Sequence, residues 1–150
     1  MTPLLTTRHQ WLLGFGETPP SELPGDFDVV RVGTGLGMCA IDAMIDTGHR
    51  VGPLLCCIAH RLLLIPVESG TADRWRAAHS ASSRGPALRC GMHGYQPVCR
   101  NRIWLTPPRP LAASMTTPAV LHDTLSLMRA RMRGAARQPF RMRAREACHV

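Results

Sequence analysis

Residues 27–48 read FDVVRVGTGLGMCAIDAMIDTG, and the period of their apolar pattern changes once. Phe27 to Val32 is a compact run rich in β-branched residues, which predicts a strand. Gly33-Thr34-Gly35 turns the chain. Leu36, Cys39, Ala40, Ala43, Met44 and Thr47 then recur at helical spacing, predicting a helix that faces a sheet. Gly48 supplies its stop.

Working outward, residues 1–25 read as an irregular lead-in, since Pro19, Pro20 and Pro24 forbid a continuous helix or central strand. Trp11, Leu12, Leu13 and Phe15 would serve there as an apolar anchor. Downstream of Gly52-Pro53, Leu54 to Ile58 and Arg61 to Val67 form two short apolar runs around Ala59-His60, the pattern of a hairpin. A long connection over 69–86 follows, with room for a helical turn near Ala72. Ala87 to Cys90, Tyr95 to Arg100 and Arg102 to Thr106 read as further strands, with Asn101 at a tight turn. Thr117 as N-cap and Pro118 at the first helical position open a last helix, with Leu121, Leu125, Met128 and Met132 on one stripe. The predicted class is α+β: one compact domain over 26–134, a mainly antiparallel sheet and two packing helices.

Composition bounds the rest. At 150 residues, with 45% hydrophobic and 19% charged residues, the chain is globular and of single-domain size. Neither a membrane-spanning apolar stretch nor a secretory leader is visible, so a cytoplasmic protein with six reduced or metal-bound cysteines is expected. The net charge of +8 is unevenly spread. Residues 1–125 hold eleven Arg against nine acids, or +2, and residues 126–150 hold seven Arg against Glu146, or +6. Segment 135–150 is thus a basic tail. Arg129, Arg131, Arg133, Arg141, Arg143 and Arg145 are the candidate nucleic-acid contacts, acting on phosphates without reading sequence. Codon bias in a GC-rich genome is the competing source of so many arginines and no lysine. A protein partner is the other interaction considered, through Trp75 or the Met128/Met132 helix face.

Two constellations could carry chemistry. Asp26 and Asp28 alternate along an extended segment, close enough to share a divalent cation, as two-metal nucleotidyl transfer requires. A solvated strand start is the competing reading. His79, Cys90, His93 and Cys99 form the candidate zinc set, because Cys90-Gly-Met-His93 has the spacing of a zinc knuckle. The set lacks a matching second pair, which argues for a zinc-free protein with Cys90 and Cys99 in the core. Cys56 and Cys57 point to opposite faces of one strand and read as packing. Gly33-Thr34-Gly35-Leu36-Gly37-Met38 fails the dinucleotide fingerprint at its third glycine.

Phe27-Asp28-Val29-Val30, the helix before Gly48, Val51-Gly52-Pro53-Leu54, Arg61 to Gly70 and Gly94-Tyr95 onward to Pro108 together resemble a known group. They are similar to small actinobacterial proteins labelled primase/polymerase-like. Those are trimmed relatives of the N-terminal domain of bifunctional DNA primase–polymerases, in the archaeo-eukaryotic primase superfamily. The resemblance implies a primase–polymerase-like core with Asp26 and Asp28 as the first catalytic motif and His60 as the second. Two departures bear on activity. Ile58 replaces the small residue two before the histidine, and Ala87-Leu88-Arg89-Cys90 brings no third carboxylate. The expectation is a non-catalytic module that binds nucleotide, nucleic acid or a protein. A residual metal-dependent nucleotidyltransferase and a structural interaction domain are the alternatives. No cofactor is expected of such a module. A divalent cation would be needed only for catalysis, and zinc only by the cysteine–histidine set.

Overall fold

The computed structural model describes residues 9–16, 18–91, 99 and 101–137. Its element order is β1 (Leu12–Phe15), β2 (Asp28–Gly33), α1 (Thr34–Asp46), β3 (Leu54–Cys57), β4 (Leu62–Val67), α2 (Thr71–Arg74), β5 (Ser80–Ser83), β6 (Arg102–Thr106) and α3 (Pro118–Ala136). The strands make one six-stranded sheet in the order β1-β6-β3-β4-β2-β5, every neighbouring pair antiparallel. This is the α+β class expected of the sequence, with three helices where two were read. Since β4 lies antiparallel between β2 and β3, those two run parallel, and β2-α1-β3 is a split βαβ unit.

The two faces of the sheet have different covers. Val30 and Val32 of β2, Leu54 of β3, Leu63 and Ile65 of β4 and Leu105 of β6 point to the helices. There they meet Ile41 and Met44 of α1 and Leu121, Leu125 and Met128 of α3. Gly37 lets α1 sit close, since a Cβ there would lie 2.8 Å from side-chain atoms of both Leu63 and Val32. The opposite face carries Val29, Leu55, Cys57, Leu64 and Trp104, covered by Phe27 and by Cys90 from the β5–β6 connection. Strands covered on both faces read as unbroken apolar runs, which is why Leu54-Leu55-Cys56-Cys57 is buried throughout.

The sequence reading of the lead-in and the long connection changes. Leu12–Phe15 is an edge strand paired with β6, and Ser80–Ser83 is the opposite edge strand, paired with β2. Ala87 to Cys90 lies outside any strand, and Tyr95 falls outside the described residues. Asn101 takes φ +58° just ahead of β6, the left-handed geometry of a tight turn. Cys56, Cys57, Cys90 and Cys99 are free thiols, whereas Cys39 on α1 is disulfide-bonded, against the reduced or metal-bound state expected of all six. No described helix is long and apolar enough to cross a membrane.

Candidate metal centre

Four residues from three parts of the chain converge at one end of the sheet, on the face away from the helices. Cys57 ends β3. His60 follows in the β3–β4 turn, where Arg61 adopts φ +52° and the Arg61 amide donates to the Ile58 carbonyl at 3.3 Å. Cys90 and Cys99 come from the β5–β6 connection. The ligand atoms of Cys57, His60, Cys90 and Cys99 all lie within 4.8 Å of one another. His60 Nδ1 stands 3.3 Å from Cys57 Sγ and 3.4 Å from Cys99 Sγ, and the Cys90 and Cys99 sulfurs are 3.6 Å apart.

Those separations suit a tetrahedral ion. With metal–sulfur and metal–nitrogen bonds of about 2.3 and 2.0–2.1 Å, the edges of a zinc tetrahedron are ~3.8 Å between sulfurs and ~3.5 Å between sulfur and nitrogen. The donor set of three thiols and one imidazole is also a standard structural-zinc set. Four protein ligands leave no open position for substrate.

Arg102, the partner of Cys57 in the β3–β6 ladder, completes the surroundings. Its Nη2 donates to both Cys90 Sγ and Cys99 Sγ at 3.3 Å, and its Nη1 donates to the Leu88 carbonyl at 2.7 Å. Three thiolates around a Zn²⁺ ion would leave one net negative charge, which this guanidinium would offset. Hydrogen bonds from outside the ligand shell orient and tune metal ligands in this way. Gly91 takes φ +69° and passes over Arg31, whose Cζ a Cβ would approach to 2.6 Å. The left-handed backbone at Gly91 favours glycine directly after Cys90.

The thiols are electrically unequal. Burial pushes the Cys57 thiol up, but hydrogen bonds from His60, Cys90 and Arg102 outweigh it and bring the pKa down to about 7. Burial, and then the neighbouring Cys99 and Cys57, push Cys90 up to about 12 despite Arg102. One thiolate forms readily, and a second beside it is opposed until a cation shares the charge. A Cys57–His60 pair also has the elements of a nucleophile and base. Cys57 is 0% exposed, however, so no substrate reaches it.

The sequence-predicted sites fall in several places. Cys90 and Cys99 stand together. His79 is elsewhere, 2.7 Å from Ser80 Oγ through Nδ1 and 3.1 Å from Ser126 Oγ through Nε2. His93 lies outside the described residues. The second ligand pair is Cys57-Ile58-Ala59-His60, whose spacing equals that of Cys90-Gly91-Met92-His93 and was legible in the sequence. Asp26 is exposed, whereas Asp28 is 4% exposed and accepts hydrogen bonds from the backbone amides of Gly70 (3.0 Å), Ala72 (2.9 Å) and Gly85 (3.0 Å). Asp28 pairs with Val67 at one end of β2 and Gly33 with Leu62 at the other, so Asp28 and His60 are separated by about 17 Å of strand. The structure does not bring the three together. Arg129 and Arg131 are half-buried on α3 and Arg133 is exposed, while Arg141, Arg143 and Arg145 lie outside the described residues. Trp75 and Met128 are buried, at 8% and 1%, and are part of the core, whereas Met132 on the same helix is exposed.

No protein-family model matches the chain, and no curated protein or solved structure matches it significantly.

Proposed function

We propose that this protein is a non-catalytic α+β binding module in which a structural zinc fastens the β5–β6 connection to the sheet. The observation that carries the reading is the four-ligand cluster of Cys57, His60, Cys90 and Cys99 with Arg102 bonded to two of its sulfurs. The placement of Asp28 supports the absence of catalysis. A carboxylate already holding three backbone amides and standing far from His60 is committed to structure. The primase–polymerase-like resemblance enters this proposal as a source of fold, without its chemistry. The expected test result is about one zinc per chain in protein purified without added metal, lost in Cys57→Ala. Cobalt substitution should give the intense visible absorption of a tetrahedral thiolate site. Zinc-free protein that binds neither ion would sink the reading.

The favoured ligand is a nucleic acid, held through the arginines of α3 and the segment after it. What favours it is the +6 carried by residues 126–150 against +2 on the remainder, a field that attracts phosphate. Affinity for single- or double-stranded DNA should fall steeply with salt and be indifferent to sequence. Replacing Arg141, Arg143 and Arg145 by Ala should lower the log–log salt slope by roughly 2–3 on duplex DNA. An unchanged slope would move the contact off this segment.

A further inference from the structure

The four cluster residues differ in how the fold holds them. Cys57 is fixed in two strand ladders, opposite Leu62 on one side and Arg102 on the other, and is wholly buried. Cys90 and Cys99 belong to no strand or helix, so no ladder fixes their backbone. Their sulfurs are already 3.6 Å apart, and Cys99 is only partly buried. A disulfide needs the sulfurs at about 2.05 Å, a closure of ~1.6 Å that two side chains outside regular structure can make. Cys57 has less freedom to shift toward a partner sulfur, because its backbone is held between β4 and β6.

We propose that the centre is a peroxide-responsive clasp, in which oxidation joins Cys90 to Cys99 and expels the zinc. This rests on the metal reading given above. The oxidant is a hydroperoxide, with hydrogen peroxide the simplest. The Cys99 thiolate attacks one peroxide oxygen, breaking the O–O bond to give a sulfenic acid and hydroxide. The Cys90 thiolate then attacks the Cys99 sulfur and displaces a second hydroxide. Overall, two thiolates lose two electrons, one peroxide takes them up, and one disulfide and two hydroxides result. Cys57 and His60 remain as a two-ligand remnant that cannot retain the ion. The connection is then tied to itself and released from the sheet. A dithiol reductant reverses the step by exchange, and zinc restores the clasp.

The test uses the full-length, zinc-loaded protein, hydrogen peroxide and a chromogenic zinc chelator, with peptide mapping of alkylated samples. Release of about one zinc per chain is expected, with a Cys90–Cys99 link appearing in parallel and both reversing on reduction with added zinc. Retention of zinc at peroxide levels that oxidise free cysteine would overturn the clasp and leave the metal site standing. So would zinc loss with Cys57 in the disulfide, or with Cys99 driven to sulfinic acid unlinked. Protein that never binds zinc would remove the underlying metal reading instead. Mapping of peroxide-treated apoprotein would then show whether the Cys90–Cys99 bond forms at all.

Discussion

If the centre holds zinc as proposed, stripping it is expected to cost about 3–5 kcal/mol of stability, or roughly 10–15 °C in thermal midpoint for a domain of this size. Two effects add. The β5–β6 connection loses its attachment to β3, and the Arg102 guanidinium loses the thiolate charge that it faces. Without a cation, Arg102 faces thiols in place of thiolates, and part of its charge is unopposed.

The same loss should follow Cys57→Ala, and its neighbour provides the comparison. Cys56 is buried at 2% and points to the helices, outside the cluster. Cys56→Ala removes a small apolar group from a core, at a cost of about 1–2 kcal/mol, and should keep its zinc. Thermal melts of both variants, with and without a chelator, separate the two. Equal midpoints for Cys56→Ala and Cys57→Ala, both insensitive to chelation, would show that no metal contributes to stability.

The second large effect belongs to Asp28. Its carboxylate accepts from three backbone amides, those of Gly70, Ala72 and Gly85, and so joins the starts of α2 and of the segment after β5 to the start of β2. Asp28→Ala leaves those part-buried amides without their carboxylate partner and should cost about 2–3 kcal/mol. Burial opposes its ionisation, but the amides of Ala72, Gly85 and Gly70 and the charge of Arg84 outweigh that and hold its pKa below 3.8. The unfolded chain therefore takes up the proton first as pH falls. Asp28 stabilises the fold fully above 3.8, and that contribution disappears as pH drops through the lower folded value. Urea denaturation across pH should show the gap between wild type and Asp28→Asn widest near neutrality and closing in acid. A gap independent of pH would mean that the charge contributes nothing.

Much of this was legible before any coordinates. The β2–α1 unit and the β3–β4 hairpin were readable because their periodicity is local and strong. The edge strands were not. Ser-Ala-Ser-Ser has weak strand propensity and is extended because β2 offers a free edge, where the Ser82 hydroxyl donates to the Val29 carbonyl at 3.1 Å. Leu12–Phe15 stands before several prolines, and its extension comes from register with β6, which no short-range pattern records. The centre was half visible. Strand alternation correctly separates Cys56 from Cys57, but only one of them was needed. Discarding both hid the Cys57-x-x-His60 pair. Arg102 gave no signal, since its position opposite Cys57 depends on β6 lying beside β3. Asp28 was conspicuous for its charge, but its amide partners sit more than forty residues away in sequence.

The division of the ligands between a hairpin and a distant connection also orders events during folding. Cys57 and His60 are three residues apart, in a turn that closes within microseconds once β3 and β4 meet. Cys90 and Cys99 arrive only after the chain has passed through α2 and β5, and the edge beside β3 must still accept β6. Loop-closure entropy makes this the slower step. An ion first caught by the hairpin would shorten that search by drawing in the later pair. Metal supply would then set the rate at which newly made chains mature, as well as the stability of those already folded.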